Sequence, residues 1–479
     1  MNICTGRDQS WCHVGCYGDP AIRTPALDDL ARNGIRFKNA YCASPSCSPS
    51  RAGILTGQDI FRIEEAGILT GFIRDKYPIF PLLLEKNGYV IGYTGKGYAP
   101  CTRNVPNTYQ RPLGKGYHQK RLTPPGAGKG ISKLDYATNL DVFLNERPKD
   151  HPFFFWVGMT EPHLPHARGL GDEFGIDQND IRIPDFYPKS LEVRQGLSDY
   201  LAEIEWADGM LARMVASLKK RNLLNNTLMI FTSDNGMPFP RAKATLYEYG
   251  VRMPLIIHWP TQVHDARRVT DPVSLIDLAP TILEVAGIRV PAVMTGRSLM
   301  PLLFSQKSGH IDPKREFVVT VFEKHTSCRS GMLGFPRRAL HTAEWTYIHN
   351  YESDRDPAGS KDVLIPTWGV YGDIDPSLIK TYFMAHENDP RVRPYYLAGF
   401  GKVPPEELFQ KTTDQHHVHD VAADPAYAEV LRDLRKKLDM YLIKHDDPRA
   451  KGLSPWDDYN LDKPFPIPLP AGVNPITAK

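Results

Sequence analysis

The chain has 479 residues, of which 41% are hydrophobic and 24% charged, and its formal net charge is +3. This composition is typical of a folded globular protein, and the near-neutral charge gives no indication of a nucleic-acid partner. No stretch approaches the roughly 20 apolar residues of a membrane-spanning helix, and the first residues lack the basic and apolar regions of a secretory signal.

Apolar and amphipathic segments alternate through the first 300 or so residues. In chain order they predict a helix over 24–34, a strand over 90–95, a helix over 136–147, a strand over 153–159, a helix over about 191–224, strands over 227–236 and 254–259, and a helix over 274–288. Such alternation predicts an α/β fold with a mostly parallel sheet covered by helices on both faces. The segments "TEPH" and "TSDNG" follow two of these strands, at the edge of the sheet where ligands bind.

Shorter predicted strands follow Pro301, in "EFVVTVFEK", "RRALHTAEWTYIHNY" and "EELFQ". A helix is then predicted after Asp424, with Leu431, Leu434, Leu438 and Leu442 on one face. We therefore predict three parts: an α/β domain over 1–335, a smaller α+β subdomain over 336–450, and a proline-rich tail over 451–479 that lies extended on the surface.

The segment "CSPSRAGILTG" (47–57) resembles the sulfatase signature, Cys-x-Pro-Ser-Arg followed by Leu-Thr-Gly. In that family a maturation enzyme oxidises the cysteine to formylglycine, and one hydroxyl of the hydrated aldehyde attacks sulfur. The resemblance implies that Cys47 becomes this nucleophile and that Arg51 places positive charge beside it. The alternative for a lone cysteine is an unmodified buried thiol.

The remaining sulfatase motifs follow in order along the chain. Asp234 and Asn235 of "TSDNG" resemble the calcium ligands of the family, and oxygen ligands at a strand end suit that hard cation. Asp8 and the matured residue 47 would complete the calcium site. On their own, Asp234 and Asn235 also fit an Asx turn with Gly236.

Three further motifs supply positive charge for a sulfo group. The resemblance assigns this role to Lys96 of "TGKG", His163 of "EPHLPH" and Lys243 of "RAKATLYEYGVRMP". Such groups neutralise charge that passes onto the leaving oxygen.

Several longer segments are similar to the N-sulfoglucosamine sulfohydrolase group, the heparan N-sulfatases and their bacterial relatives. They are "FFFWVGMTEPH", "TSDNGMPFPRAKATLYEYG", "FPRRALHTAEWTYIHNY" and "DRDPAG". This resemblance implies an alkaline-phosphatase-like fold, a sulfated saccharide substrate, a part in heparan sulfate (glycosaminoglycan) degradation and a periplasmic or secreted location. It leaves the oligomeric state open.

The sequence departs from the family at two positions. Arg7 stands before Asp8 where sulfatases have a second aspartate, after a strand that is shorter than expected, so we expect a truncated start or weakened calcium binding. Tyr98 stands where many sulfatases have a histidine, and a phenol with an ordinary pKa of about 10 is a poor base at neutral pH.

Substrate selection is expected from loops around the sulfo group. The candidate substrate-binding residues are Glu161, His166, Glu323, His325, Arg329 and Arg338, of which His325 directly follows an apolar strand. For each, an ordinary surface charge is the alternative. The histidines of "DQHHVHD", His416, His417 and His419, are expected to be solvated rather than metal-binding.

Two other functions remain as alternatives. A relative of the same superfamily could hydrolyse O-sulfate, phosphate or phosphonate esters, because these oxyanions are similar in shape. A metal-deficient, non-catalytic glycan-binding relative is the second alternative, and Arg7 and Tyr98 are its support.

Overall fold

The computed structural model describes residues 1–98, 105–126 and 130–459 and the short strand Ile467–Pro468. Among these residues, nine strands form one large sheet. They are β1 (Asn2–Gly6), β2 (Ile35–Tyr41), β3 (Val90–Gly95), β4 (Lys115–Gly116), β5 (Phe153–Gly158), β6 (Met229–Ser233), β7 (Arg252–His258), β8 (Arg267–Val269) and β9 (Val273–Ser274).

The strand order of this sheet is β4-β3-β5-β1-β6-β7-β2-β8, with β9 also paired to β2. Only β7 runs against its neighbours β6 and β2; the other pairs are parallel. The sheet is therefore mostly parallel, as predicted.

The helices are α1 (Pro25–Arg32), α2 (Cys47–Thr56), α3 (Phe80–Lys86), α4 (Tyr136–Glu146), α5 (Leu170–Glu173), α6 (Leu191–Lys220), α7 (Glu248–Val251), α8 (Leu278–Val285), α9 (Met300–Phe304), α10 (Leu378–Ala385), α11 (Arg393–Phe400) and α12 (Ala428–Lys444). Strand β5 shows how they cover both faces of the sheet. Its residues Phe154 and Trp156 pack in a core with α2, α3 and α8, while Phe153, Phe155 and Val157 pack in another with α1, α4 and α6. Because both faces are buried, the strand has no polar side chain.

Strand β1 lies at the centre of the sheet, between β5 and β6. The sequence suggested that this strand is too short, yet all of its five residues, Asn2–Gly6, are buried and paired. Its end carries Arg7 and Asp8 to the same edge of the sheet as the end of β6, because Gly6 pairs with Ser233.

A second sheet, antiparallel and four-stranded, has the order β10-β11-β12-β14. Its strands are β10 (Phe317–Phe322), β11 (Arg337–Thr342), β12 (Trp345–Asn350) and β14 (Glu406–Gln410). The predicted boundary at residue 335 falls between β10 and β11, which are paired neighbours, so this sheet crosses it. Helix α12 packs on the core through Leu434, Leu438 and Leu442, as its pattern predicted.

The described part of the predicted tail is not simply extended. A turn of 3₁₀ helix spans Pro455–Asp457, and Trp456 is buried with its indole N–H donating to the Glu64 carbonyl at 3.2 Å. Strand β15 (Ile467–Pro468) pairs with β13 (Val363–Leu364), and the rest of the tail lies outside the described residues. No helix in the described ranges has the length and apolar character needed to cross a bilayer.

Candidate active site

Cys47 is the first residue of α2, a helix whose ten residues are all buried. The preceding Ser46 is extended, and its hydroxyl is hydrogen-bonded to His325 Nδ1 at 2.8 Å instead of capping the helix. Gly57 ends the helix in the left-handed conformation that favours glycine, with a φ of 63°. Cys47 therefore lies at the positive end of a helix dipole.

Asp8, Asp234 and Asn235 meet at the ends of the neighbouring strands β1 and β6. The Asp8 backbone N–H donates to Asp234 Oδ1 at 3.1 Å, and the Asn235 side-chain amide donates to Asp8 Oδ1 at 2.7 Å. Asp8 has a φ of 61°, which is strained for a residue with a side chain. The predicted ligand residues are thus brought together, although the sequence separates them by more than 200 positions.

Two cationic side chains are tied to these carboxylates. Arg51 donates from Nε to Asp234 Oδ2 at 2.8 Å and from Nη1 to the Lys96 carbonyl at 2.9 Å. Lys243 Nζ donates to Asp8 Oδ2 at 2.8 Å and to Asp375 Oδ2 at 2.5 Å. Charge-assisted hydrogen bonds therefore fix the side chains of Arg51, Asp234, Lys243, Asp8 and Asp375 in position.

Some cationic atoms at the site have no such partner, including one nitrogen of Arg51. Within the described residues, the side-chain atoms Lys96 Nζ, Arg51 Nη2 and Arg7 Nε are buried and make no hydrogen bond. Burial, and then repulsion from Arg7, lower the pKa of Lys96 to about 8. Buried unpaired donors are costly, so this arrangement is suited to an anion that they can bind together.

The same charges act on Cys47. Burial alone would raise the pKa of its thiol, but Lys96, Arg7 and Lys243 outweigh burial and lower it. Asp234 responds in the same way: burial acts to raise its pKa, and Arg51, Lys96 and Arg7 lower it below its ordinary value. Residue 47 is therefore placed where negative charge is stabilised.

His163 lies at the solvent side of this group, with its side chain 18% exposed while that of Asp8 is fully buried. Its Nδ1 is 2.5 Å from the Leu164 carbonyl oxygen, and its Nε2 is 3.7 Å from Asp8 Oδ2. Burial, with Lys243 and Arg7, lowers the pKa of His163 well below its ordinary value. The ring is then neutral with its proton on Nδ1, so His163 does not supply the positive charge that the resemblance assigned to it, and its Nε2 lone pair is free to accept a proton.

Some features of this site suit a hard cation, and others oppose it. Asn235 Oδ1 is buried without a hydrogen-bond partner in the described part of the chain, and it lies beside Asp8 and Asp234. Asp8, His163 and Asp375 also offer ligand atoms within 4.8 Å of one another, but the Lys243 ammonium already joins the two carboxylates. The oxygen donors suit calcium, whereas the charge of Arg7, which acts on both Asp8 and Asp234, opposes it.

Tyr98 does not act as a base. Its hydroxyl donates to the Gly71 carbonyl at 2.8 Å, and burial raises its pKa well above 10. Its proton is therefore held by a backbone carbonyl and is not available to residue 47.

Among the predicted substrate-binding residues, Glu161 and His166 have different surroundings. Glu161 is fully buried, with its carboxylate accepting from the Ser132 backbone N–H at 2.7 Å and the Tyr136 hydroxyl at 2.9 Å, so it supports a loop. His166 is half-buried and lines a cleft of about 240 Å³ with Phe239.

Glu323 and Arg338 were predicted to contact substrate, but the structure places them in a buried ion network. Arg338 pairs with Asp447 at 2.6 Å and with Glu323 at 2.7 Å, and Glu323 also pairs with Arg449 at 2.7 Å. Charges buried with such partners support packing of the C-terminal segment.

We call Cys47 and the charged residues around it, Asp8, Arg51, Lys96, Asp234 and Lys243, the Cys47 group. His325 lies beside this group, and Arg329 lies four residues further along the chain. His325 is buried against Ser46, and burial together with Lys243 lowers its pKa to about 4. Arg329 pairs with Asp373 at 2.7 Å. Neither side chain is exposed, so neither lies on an open rim; His325 contacts the residue before Cys47, whereas the partners of Arg329 are Asp373 and the Asp356 and Pro357 carbonyls.

Sequence reasoning missed Asp375 and misjudged His417. Asp375 joins Lys243 to the Trp368 indole, which donates to it at 2.9 Å, and the only sequence signal was a pair of aspartates in the loop "GDIDPS". His417 was expected to be solvated, but it is fully buried and stacks on Phe409 at 4.6 Å.

Comparison with known proteins finds sulfatases among the similar chains. A family model described as Sulfatase matches residues 5–288, and one described as N-sulphoglucosamine sulphohydrolase, C-terminal, matches residues 241–356. Human N-sulphoglucosamine sulphohydrolase is 28% identical over 92% of this chain and 89% of its own length.

Solved structures have the same fold. One, described in complex with its substrate D-glucosamine-2-N,6-O-disulfate, matches with a TM-score of 0.66 at 19% identity, over 93% of this chain and 98% of the other. A phosphonate monoester hydrolase from Silicibacter pomeroyi matches with a TM-score of 0.63 at 18% identity, over 93% and 95%.

Proposed function

The chain belongs to the sulfatase family, and from that premise we propose that it removes the N-sulfo group of glucosamine residues in heparan-type glycans. The observation that carries the proposal is the set of buried, unpartnered cationic atoms of Lys96, Arg51 and Arg7, together with the action of the Lys96 and Arg7 charges on Cys47. The match to the human N-sulphoglucosamine sulphohydrolase along nearly the whole chain supports the choice of an N-sulfo substrate.

Some residues of the chain bind the sulfo group, others hold those residues in place, and His163 transfers a proton. Lys96 and Arg51 hold the sulfo oxygens and neutralise the charge that develops on the leaving group. Asp234 keeps Arg51 in place, and Asp375 keeps Lys243 in place, through the hydrogen bonds described above. His163 Nε2 takes up or returns the proton at the exposed side of the site.

Two groups that the family uses complete the proposal. When a maturation enzyme has oxidised Cys47 to formylglycine, residue 47 supplies a hydrated aldehyde as the nucleophile. Asp8, Asp234, Asn235 and residue 47 would hold calcium, which would supply positive charge for the sulfo group. Since Arg7 already places a cation beside these ligands, we propose that calcium binds weakly.

The second candidate function is that of a non-catalytic, glycan-binding relative, and Arg7 and Tyr98 support it. Arg7 opposes the cation, and the Tyr98 proton is held by Gly71, so both features of the family's chemistry are altered. Both candidates are compatible with weak calcium binding, so sulfate release by the matured chain separates them. Release from N-sulfoglucosamine would remove the non-catalytic candidate, and no release by a chain shown to carry formylglycine would favour it.

A panel of substrates tests the proposed reaction. The chain, produced with a sulfatase-maturation enzyme, should release sulfate from N-sulfoglucosamine faster than from 6-O-sulfoglucosamine or an aryl sulfate. It should have little activity on an aryl phosphate or a phosphonate monoester. Cys47→Ala is the control and should be inactive on all five. A preference for either phosphorus ester would overturn the proposal.

A further inference from the structure

A basic cleft of about 670 Å³ lies where strands β2, β7 and β8 meet the loop at residues 411–415. We call it the basic cleft because five cationic residues line it: Arg36, Lys38, Arg252, Arg268 and Lys411. No aspartate or glutamate occurs among the described residues that line it. The whole chain carries only a small net charge, so this concentration of one sign is local.

The charges of the basic cleft are poorly compensated. Arg252 and Lys411 share one carboxylate, that of Glu248, at 3.0 and 3.6 Å. In the described part of the chain no ion pair includes Arg36, Lys38 or Arg268, and Arg36 lies instead over the ring of Tyr17, at 5.2 Å from its centroid.

The backbone register forces two of these charges together. Arg36 of β2 and Arg268 of β8 stand directly opposite each other in adjacent parallel strands. Like charges at opposite positions destabilise a sheet. Burial first, and then repulsion from Arg252 and Arg268, also lower the pKa of Lys38. An anion bound here would relieve this repulsion.

The basic surface extends beyond the basic cleft. A second cleft of about 480 Å³ shares Arg36 and Arg268 with it and adds Arg32, with Asp28 also in its lining. Arg32 pairs with Asp29 at 3.1 Å, and the buried guanidinium of Arg267 donates to the Leu302 and Leu303 carbonyls, so Arg267 adds no free charge. A ligand with several anionic groups in a row fits this shape better than a single sulfate ion.

The basic cleft is separate from the Cys47 group but linked to it by one loop. Asp8 belongs to the Cys47 group, and Trp11 and Tyr17, a few residues further along the same loop, line the basic cleft. None of the cationic lining residues of the basic cleft takes part in the hydrogen bonds around Cys47.

We propose that the basic cleft binds a sulfated or carboxylated segment of a polysaccharide chain, outside the site that holds the reacting sulfo group. That the ligand is a polyanion follows from the basic cleft itself. That the polyanion is a glycan rests on the proposed function.

Binding of a fluorescent heparin dodecasaccharide tests the proposal. We expect the double variant Arg36→Ala/Arg268→Ala to bind about tenfold more weakly at low salt, as two exposed ionic contacts are lost. Its affinity should also depend less on salt concentration. Lys219→Ala/Lys220→Ala, in the last turn of α6, is the matched control, because it removes the same charge elsewhere and should leave binding unchanged.

Further measurements test whether the loss of binding is specific, whether the variant is folded and whether the ligand is a glycan. An unchanged affinity in the Arg36/Arg268 variant, or an equal loss in the control, would overturn the proposal. Unchanged thermal unfolding and unchanged turnover of N-sulfoglucosamine monosaccharide would show that the variant is folded. Binding of the dodecasaccharide by the inactive Cys47→Ala chain separates the basic cleft from the proposed reaction. A single-stranded oligonucleotide of equal charge that binds more tightly than heparin would overturn the glycan as ligand.

Discussion

Raising the pH above about 8 should weaken the binding of inorganic sulfate, because Lys96 loses its charge there. The ammonium of Lys96 is buried without a partner, and its pKa falls from 10.5 to about 8. At about 1.4 kcal/mol per pKa unit, this fall corresponds to about 3 kcal/mol against the charged form. A bound sulfate offsets that cost, so sulfate and the Lys96 proton bind together.

This linkage determines the direction in which sulfate affinity changes with pH. Below the pKa of Lys96 the free protein already carries the proton, and sulfate affinity is constant. Above it, sulfate binding must take up a proton, and the affinity should fall about tenfold per pH unit. Titration calorimetry across the range, on chains that carry Cys47→Ala so that no thiol titrates beside the anion, measures this slope directly.

The Lys96→Met variant is the control, since it removes the titrating group and keeps the length of the side chain. It should bind sulfate more weakly at neutral pH and show little dependence on pH up to about 10. The reasoning would be refuted if the Cys47→Ala chain that keeps Lys96 had constant affinity, or if the variant showed the same slope.

Three further changes test other parts of the site. Arg7→Asp should raise the affinity for calcium by about tenfold or more, because a carboxylate replaces a cation beside Asp8; calorimetry measures it, and an unchanged affinity would speak against the assigned ligands. His325→Ala should lower kcat/KM about three- to tenfold on both N-sulfoglucosamine and an aryl sulfate, since His325 is buried with the catalytic residues; a loss confined to N-sulfoglucosamine would return His325 to a role in selectivity. Arg338→Met should lower the free energy of unfolding by about 3–5 kcal/mol, because Asp447 keeps a buried charge without its main partner; denaturant unfolding that shows less than about 1 kcal/mol would contradict this.

The sequence was most informative where a motif follows directly from a strand or opens a helix. The strand pattern placed "TSDNG", with Asp234, at the ligand-binding edge of the sheet, and the family resemblance assigned Lys96 and Cys47 to the same site. In the structure Asp234 follows β6, Lys96 follows β3 and Cys47 opens α2. Even the short β1 forms as a buried central strand, because β5 and β6 pair with it on both sides.

The errors arose where packing over long sequence distances decides the surroundings. Glu323 follows β10, as a ligand-binding residue would, but Arg449, 126 residues later, covers it. Asp375 reaches Lys243 across 132 residues, and nothing in its own loop indicates that contact. His417 lies among polar residues in sequence, yet it stacks on Phe409 in the core of the C-terminal subdomain.

The central claim is that residue 47, once oxidised, is the nucleophile of an N-sulfoglucosamine sulfatase. The most direct measurement compares the rate of sulfate release from N-sulfoglucosamine with the fraction of residue 47 present as formylglycine, determined by mass spectrometry on preparations made with graded amounts of maturation enzyme. The account predicts a rate proportional to that fraction and no release by Cys47→Ala. Release by chains with an unmodified cysteine, or no release by fully modified chains, would contradict it.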